Sequence, residues 1–116
     1  MVKKVEKIKK GWGHEDIIYN EEYTVKRLVI KPGCSTSLQF HNEKIETMFV
    51  HSGTGIVHLE NNRDKVIAKS LKTNSFIHIK QQLIHRVENT SNIENLIIIE
   101  ASTPHMDDVV RLKVFN

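Results

Sequence analysis

This 116-residue chain carries one cysteine, two prolines and five glycines, and aromatic residues make up 6% of it. Each scarcity removes a class of answer. A single cysteine, Cys34, excludes an intrachain disulfide and any metal site built from thiolates in number. It lies in the turn-forming run Pro32-Gly33-Cys34-Ser35 with no histidine beside it, so a cysteine nucleophile is not expected. No aromatic residue interleaves with Lys3, Lys4, Lys7, Lys9 and Lys10, so the basic start lacks a stacking platform for single-stranded nucleic acid. Residues 1–10 read as a solvated strand or tail, and no nucleic-acid partner is expected. No apolar run reaches membrane-spanning length, and none of signal-peptide length follows the lysines. The expectation is a cytoplasmic protein without a membrane partner, and its net charge is only +3.

What the chain does have is short apolar segments of period two. Tyr23 to Lys31 alternates and is rich in β-branched residues, and Pro32-Gly33 ends it. Thr47 to Ser52 is broken by Gly53-Thr54-Gly55; Ile56 to Glu60 follows; Asn61-Asn62-Arg63-Asp64 supplies a turn before Lys65 to Lys69. Phe76 to Ile79, Ile84 to Glu88 and Leu96 to Ala101 continue the series. Such spacing with no helical periodicity predicts one all-β domain over 1–116, an antiparallel sandwich or barrel. The unbroken run Leu96-Ile97-Ile98-Ile99 predicts a strand buried on both faces. Met106 to Phe115 reads as a last strand or a short helix.

The chemistry concentrates in Gln39-Phe40-His41-Asn42-Glu43-Lys44-Ile45-Glu46, with His85 far downstream in another apolar segment. In an extended segment residues i and i+2 share a face, so Gln39 and His41 point the same way. Glu46 opens an apolar strand, an expensive place for a carboxylate unless it is paired or ligated. Two oxygens and two imidazole nitrogens from separate strands can ligate a divalent metal. The remaining histidines fit this less well. His51 and His58 are expected to face away from the Glu46 side, His14 and His105 to be exposed in connecting segments, and His78 is undecided.

The same residues carry a resemblance. Gly33, His41, Glu46 and Gly53 have the spacing of the first cupin motif, with Gln39 in place of its first histidine, and His85-Arg86-Val87-Glu88-Asn89 resembles the end of the second. Ser37-Leu38-Gln39-Phe40-His41, Val50-His51-Ser52-Gly53-Thr54, Gly11-Trp12-Gly13, Lys26-Arg27 and Asp107-Asp108-Val109-Val110-Arg111 resemble the cupin domain of type II phosphomannose isomerases. The chain departs from that pattern at Asn42, Glu43 and Lys44, at Thr47 and Met48, and at Lys80 and Gln82, where the family carries a proline and a glycine.

The resemblance implies a cupin-type double-stranded β-helix, a jelly-roll barrel. It implies one divalent ion on Gln39, His41, Glu46 and His85, with zinc favoured over manganese, iron or nickel. It also implies interconversion of mannose 6-phosphate and fructose 6-phosphate. On that reading Lys44, Arg86 and Arg111 hold the phosphate, unless Arg111 pairs with Asp107 or Asp108. Glu43, Lys44 and His78 are the candidate bases, and Trp12 caps one end of the barrel. A homodimer is expected, with outward residues such as Phe49 at its interface. Nucleotidyl transfer, the second activity of many fused relatives, is not expected of this length of chain. The alternatives are a sugar-binding cupin module without turnover and a cupin oxygenase.

Overall fold

The computed structural model describes residues 2–60 and 65–112. Within them the chain forms strands alone: β1 (Glu6–Lys10), β2 (Gly13–Asn20), β3 (Thr24–Ile30), β4 (Gln39–Phe40), β5 (Glu46–Ser52), β6 (Gly55–Glu60), β7 (Val66–Leu71), β8 (Phe76–Ile79), β9 (Ile84–Asn89), β10 (Leu96–Ser102) and β11 (Val110–Arg111). Among the described residues no helix is long and apolar enough to cross a membrane.

The strands make a six-stranded sheet, β1-β2-β3-β10-β5-β8, and a five-stranded sheet, β11-β4-β9-β6-β7, each antiparallel throughout. Both draw neighbours from distant parts of the chain, which is jelly-roll connectivity. The inner faces meet in one core of Leu28, Ile30, Met48, Val50, Val57, Leu71, Ile79, Val87, Leu96 and Ile98. At roughly 25 cal/mol per Å² of apolar surface removed from water, these side chains supply most of the drive to fold. Gly53 turns the chain from β5 into β6 at φ +97°, and a Cβ there would lie 2.6 Å from the Asn95 carbonyl oxygen, so only glycine fits.

Period two holds along β3, β5, β9 and β10, and it carries charge as well as hydrocarbon indoors. β3 buries Thr24, Lys26, Leu28 and Ile30 and turns Val25, Arg27 and Val29 outward. In β10 the buried set is Leu96, Ile98, Glu100 and Ser102. The strand expected to be buried on both faces is therefore buried on one. Ile97 and Ile99 are half-buried because strands flank β10 within its sheet while, among the described residues, no further sheet stacks on the outer surface.

The N-terminal region departs furthest from expectation. Residues 6–20 form a hairpin, β1 on β2, and β2 docks on β3 with Asp16 opposite Arg27. His14 is therefore in a strand, 2.9 Å from the buried Asp16, rather than in a connection. Charges at every position of β1 but Ile8, and at Glu15 and Asp16 of β2, hid this hairpin from an apolar count. Trp12 sits in the β1–β2 turn and packs half-buried against the core, near one end of the barrel as expected. Its carbonyl accepts the Lys31 N–H at 2.8 Å. Past β10 the chain forms loops and the two-residue β11 on β4, so Met106 onward is not a helix within the described residues. Phe115 and the turn expected at Asn61 to Asp64 lie outside them.

Candidate metal centre

β4 and β9 of one sheet and β5 of the other bring the expected ligands together. Gln39 lies directly opposite His85 in the β4–β9 register, His41 follows β4 at once, and Glu46 is the first residue of β5. His85 Nε2 is 3.1 Å and His41 Nε2 3.6 Å from Glu46 Oε1, and the imidazole centroids are 5.3 Å apart. One donor atom from each of the three residues falls within 4.8 Å of the others. All three side chains are buried.

Hydrogen bonding shows what this cluster is built to accept. His41 Nδ1 is 2.6 Å from the Asp108 carbonyl oxygen and His85 Nδ1 is 2.8 Å from that of Leu83. A carbonyl can only accept, so both Nδ1 atoms carry the proton and donate it. When a ring is neutral, its Nε2 turns a lone pair toward Glu46. The two Nε2 atoms and both Glu46 oxygens are buried without a hydrogen-bond partner. Lone pairs and a carboxylate facing one another in a dry site repel unless a cation stands among them. A divalent metal ion fits this donor set, and backbone carbonyls behind the imidazoles are the usual means of aiming them.

The Lys44 ammonium, 3.2 Å from Glu46 Oε2, and protonation of the imidazoles also ease that repulsion. Burial alone would push His41 down, but the Glu46 carboxylate and the Asp108 carbonyl outweigh it and raise His41 above the ordinary imidazole value. Burial would likewise raise Glu46; His41, His85 and the Lys44 charge together hold it well below the usual carboxylate range. Gln39 is half-buried on the wall of the adjoining cavity, and its Oε1 accepts the Ser37 hydroxyl at 3.1 Å.

A residue the sequence reading missed as a support anchors this corner. The Asp108 carboxylate accepts the backbone N–H groups of Asn42, Glu43 and Lys44 at 3.1, 2.7 and 2.9 Å, while its carbonyl holds His41. Those N–H bonds keep the Asp108 carboxyl below its usual value. One residue thus fixes both a ligand and the turn that follows it. On the other side the Gln82 N–H donates to the His41 carbonyl oxygen at 2.6 Å. Gln82 holds φ +63°, a left-handed conformation, at one of the positions where the chain departs from the family's proline and glycine.

The centre adjoins a cavity of about 520 Å³, within the range of small-molecule sites. His41, Gln39 and Lys44 line it, with Trp12, Leu28, Met48, Glu15, Lys26, Glu100, Lys10 and Arg111 among the other walls. Lys44 is not a free cation: it is 4% exposed, with Nζ 3.2 Å from Glu46 Oε2 and 3.1 Å from Glu100 Oε2. Glu100 is pushed up to about 7, chiefly by burial and then by the Glu46 charge, against the pull of Lys44 and Lys26.

The other expected residues separate. Arg111 reaches the cavity wall from β11, and the Asp108 carboxylate is taken up by backbone groups. Arg86 does not reach it: alternation in β9 turns it opposite His85, where it donates to the Ser35 hydroxyl at 3.1 Å. Of the candidate bases, Glu43 is exposed beside His105, and His78 bonds Thr47 on the wall of a second, separate recess. His105 is half-buried in the connection after β10 rather than fully exposed. His51 and His58 face away from Glu46 as expected, His58 pairing with Glu88 at 2.9 Å.

Comparison with known proteins agrees with this architecture. The family model described as mannose-6-phosphate isomerase C-terminal matches residues 1–114. The xanthan biosynthesis protein XanB of Xanthomonas campestris pv. campestris is 31% identical over 110 residues, covering 92% of this chain and 22% of XanB. The mannose-1-phosphate guanylyltransferase ManC of Salmonella typhimurium is 34% identical over 105 residues, covering 88% and 21%. This chain thus spans about a fifth of the length of these curated relatives. Among solved structures, the capsular polysaccharide assembling protein CapF of Staphylococcus aureus superposes with a TM-score of 0.85 at 19% identity, covering 97% of this chain and 34% of CapF. Oxalate decarboxylase of Bacillus subtilis gives 0.81 at 12% identity, covering 93% and 30%. These two likenesses establish the shared cupin fold.

Proposed function

This chain belongs to the mannose-6-phosphate isomerase C-terminal family, and from that premise we propose that it is a metal-dependent isomerase of a phosphorylated hexose, interconverting mannose 6-phosphate and fructose 6-phosphate. One observation carries the reading: four buried acceptor atoms without a hydrogen bond, on His41, His85 and Glu46, beside a cavity large enough for a hexose phosphate. These residues would hold one divalent ion, with Gln39 offering its amide oxygen. Zinc is preferred, because two imidazoles with oxygen donors suit it and it brings no redox chemistry.

When bound, such an ion supplies Lewis-acid chemistry, polarising a carbonyl and easing the negative charge that develops on its oxygen. The chain's own groups do the rest. Lys44 bridges Glu46 and Glu100, which ties the Glu100 carboxylate of the cavity wall to the metal centre. Glu100, a buried carboxylate of the cavity wall, is the group placed to carry a proton between C2 and C1 of the sugar. Trp12, Leu28 and Met48 give the sugar carbons an apolar wall and displace water.

The test is incubation of zinc-loaded protein with mannose 6-phosphate in deuterated water, followed by NMR. Fructose 6-phosphate should form, with deuterium entering at the migrating position to the extent that Glu100 exchanges with solvent. Glu100→Gln should retain metal and lose turnover. A second reading, a sugar-binding module without turnover, is favoured by Lys44 being committed to an internal ion pair and Arg86 lying outside the cavity. Binding without conversion by fully loaded protein would select it. The reading includes a homodimer, supported by Phe49 and Phe76, cross-strand partners left 38% and 69% exposed. Sedimentation of Phe76→Ser beside the unsubstituted chain tests that.

A further inference from the structure

Lys26 and Glu100 point into this barrel from adjacent strands, directly opposite each other in the β3–β10 register. Glu100 has a close partner in Lys44. Lys26 does not. It is 6% exposed, yet its Nζ makes no hydrogen bond among the described residues. Its ion-pair partner, Glu15, stands off at 3.7 Å. Glu15 is shared with Lys10, at 3.8 Å. One carboxylate therefore lies between two ammonium groups and is in hydrogen-bond contact with neither. A buried ammonium left so loosely compensated is costly, and the cost falls when an acceptor comes within reach.

Arg111 adds a third cation from the facing sheet. It lines the same cavity, and its guanidinium has neither a hydrogen bond nor an ion pair among the described residues. With Lys44 neutralised inside, the cations Lys10, Lys26 and Arg111 face the carboxylates Glu15 and Asp107 across the open part of the cavity. Trp12 lies on the same wall, two residues from Lys10. We propose that this part of the cavity is an oxyanion subsite, in which Lys26, Lys10 and Arg111 hold the phosphate group of a phosphorylated ligand while the rest of the ligand extends past Trp12 toward His41. The phosphate oxygens make the short contacts that Glu15 leaves unmade, and the Arg111 fork suits a second pair of oxygens. This deepens the isomerase reading, and it rests on that reading for the sugar end of the ligand.

Calorimetric titration of the full chain with inorganic phosphate, fructose 6-phosphate and fructose, with zinc and after chelation, tests it. Lys26→Met should weaken both phosphorylated probes about tenfold or more, the loss of one charge-assisted contact, and leave fructose unchanged. Arg111→Met should act in the same direction by a smaller factor, while Lys26→Arg should stay close to the unsubstituted chain. Because Arg111 is exposed, its variant keeps the test open if Lys26→Met does not fold. Phosphate affinity that is the same in every variant would overturn the subsite, as would affinity that vanishes on chelation or no phosphate binding at all. Phosphate binding that weakens in Lys26→Met and Arg111→Met, in a chain that converts no mannose 6-phosphate, would leave the subsite standing and end the isomerase reading alone.

Discussion

The two ends of the cavity are made of similar residue types and behave differently. At the metal end His41, Glu46 and His85 are buried, each imidazole is locked by a backbone carbonyl, and both Nε2 atoms lack a hydrogen-bond partner. At the mouth, Lys10, Glu15 and Lys26 form ion pairs of 3.7–3.8 Å, and Arg111 is exposed. The first arrangement is set before anything binds, so little ordering remains to be done when a metal ion arrives. The second is loose and suits a group that comes and goes with each ligand. Rigidity here follows from how many backbone groups grip a side chain.

The sharpest way to break this contrast is at the metal end. Glu46→Gln and His85→Ala should each lower metal affinity more than about a hundredfold, exceeding the range for supporting residues. Elemental analysis and chelator competition measure it, and the mouth variants should keep their metal. Asp108→Ala comes next. It removes the carboxylate that ties residues 42–44, and affinity should fall on the order of ten- to a hundredfold with His41 itself intact. A changed visible spectrum of the cobalt-substituted protein would separate displacement of His41 from general loss of fold.

The mouth can be damaged independently. Gly13 holds φ +148°, and a Cβ there would stand 1.9 Å from the Val29 carbonyl oxygen. Gly13→Ala should therefore destabilise the chain by at least about 2 kcal/mol by prising β2 from β3. Denaturant unfolding reads the loss, and folded protein should still retain metal.

How much of this was legible beforehand depends on what each residue's signal was. β3, β5, β6 and β8 to β10 were readable because their apolar residues alternate and turn residues end them. His41, Glu46 and His85 stood out by type and spacing, and the structure brings them together. Lys26 and Glu100 were passed over although period two had placed them: Leu28 and Ile30 face inward, so Lys26 does, and Leu96 and Ile98 carry Glu100 with them. The same rule turns Arg86 away from His85. The β1–β2 hairpin was hidden by its charges. Asp108 gave no local signal, because its partners at Asn42 to Lys44 lie far off in sequence.

The smallest of the expected effects concerns proton linkage between the two ends. Glu100, raised from 4.5 to about 7, holds its proton in the folded chain after the unfolded chain has released it. In metal-free protein its contribution to stability is complete below the ordinary carboxylate value and is lost as pH rises through about 7. Glu46 has the opposite sign: its lowered value contributes above the ordinary range and is lost as pH falls below it. Glu100→Gln should flatten the fall in melting temperature between pH 5 and 7, roughly the span of the Glu100 shift. An unchanged slope would assign that span to other groups.

The grip of Asp108 on His41 has a consequence for the order in which this protein is assembled. The ligands come from three strands in two sheets, and the residue that aims one of them arrives near the end of the described chain. A nascent chain that has completed only the first ligand segment has no competent site, and no local hairpin can supply one. Loop closure over such separations is slow compared with forming a single turn. A metal ion held at this site would be taken up by a barrel already closed, and its concentration would act on how long that barrel stays shut rather than on how quickly it forms.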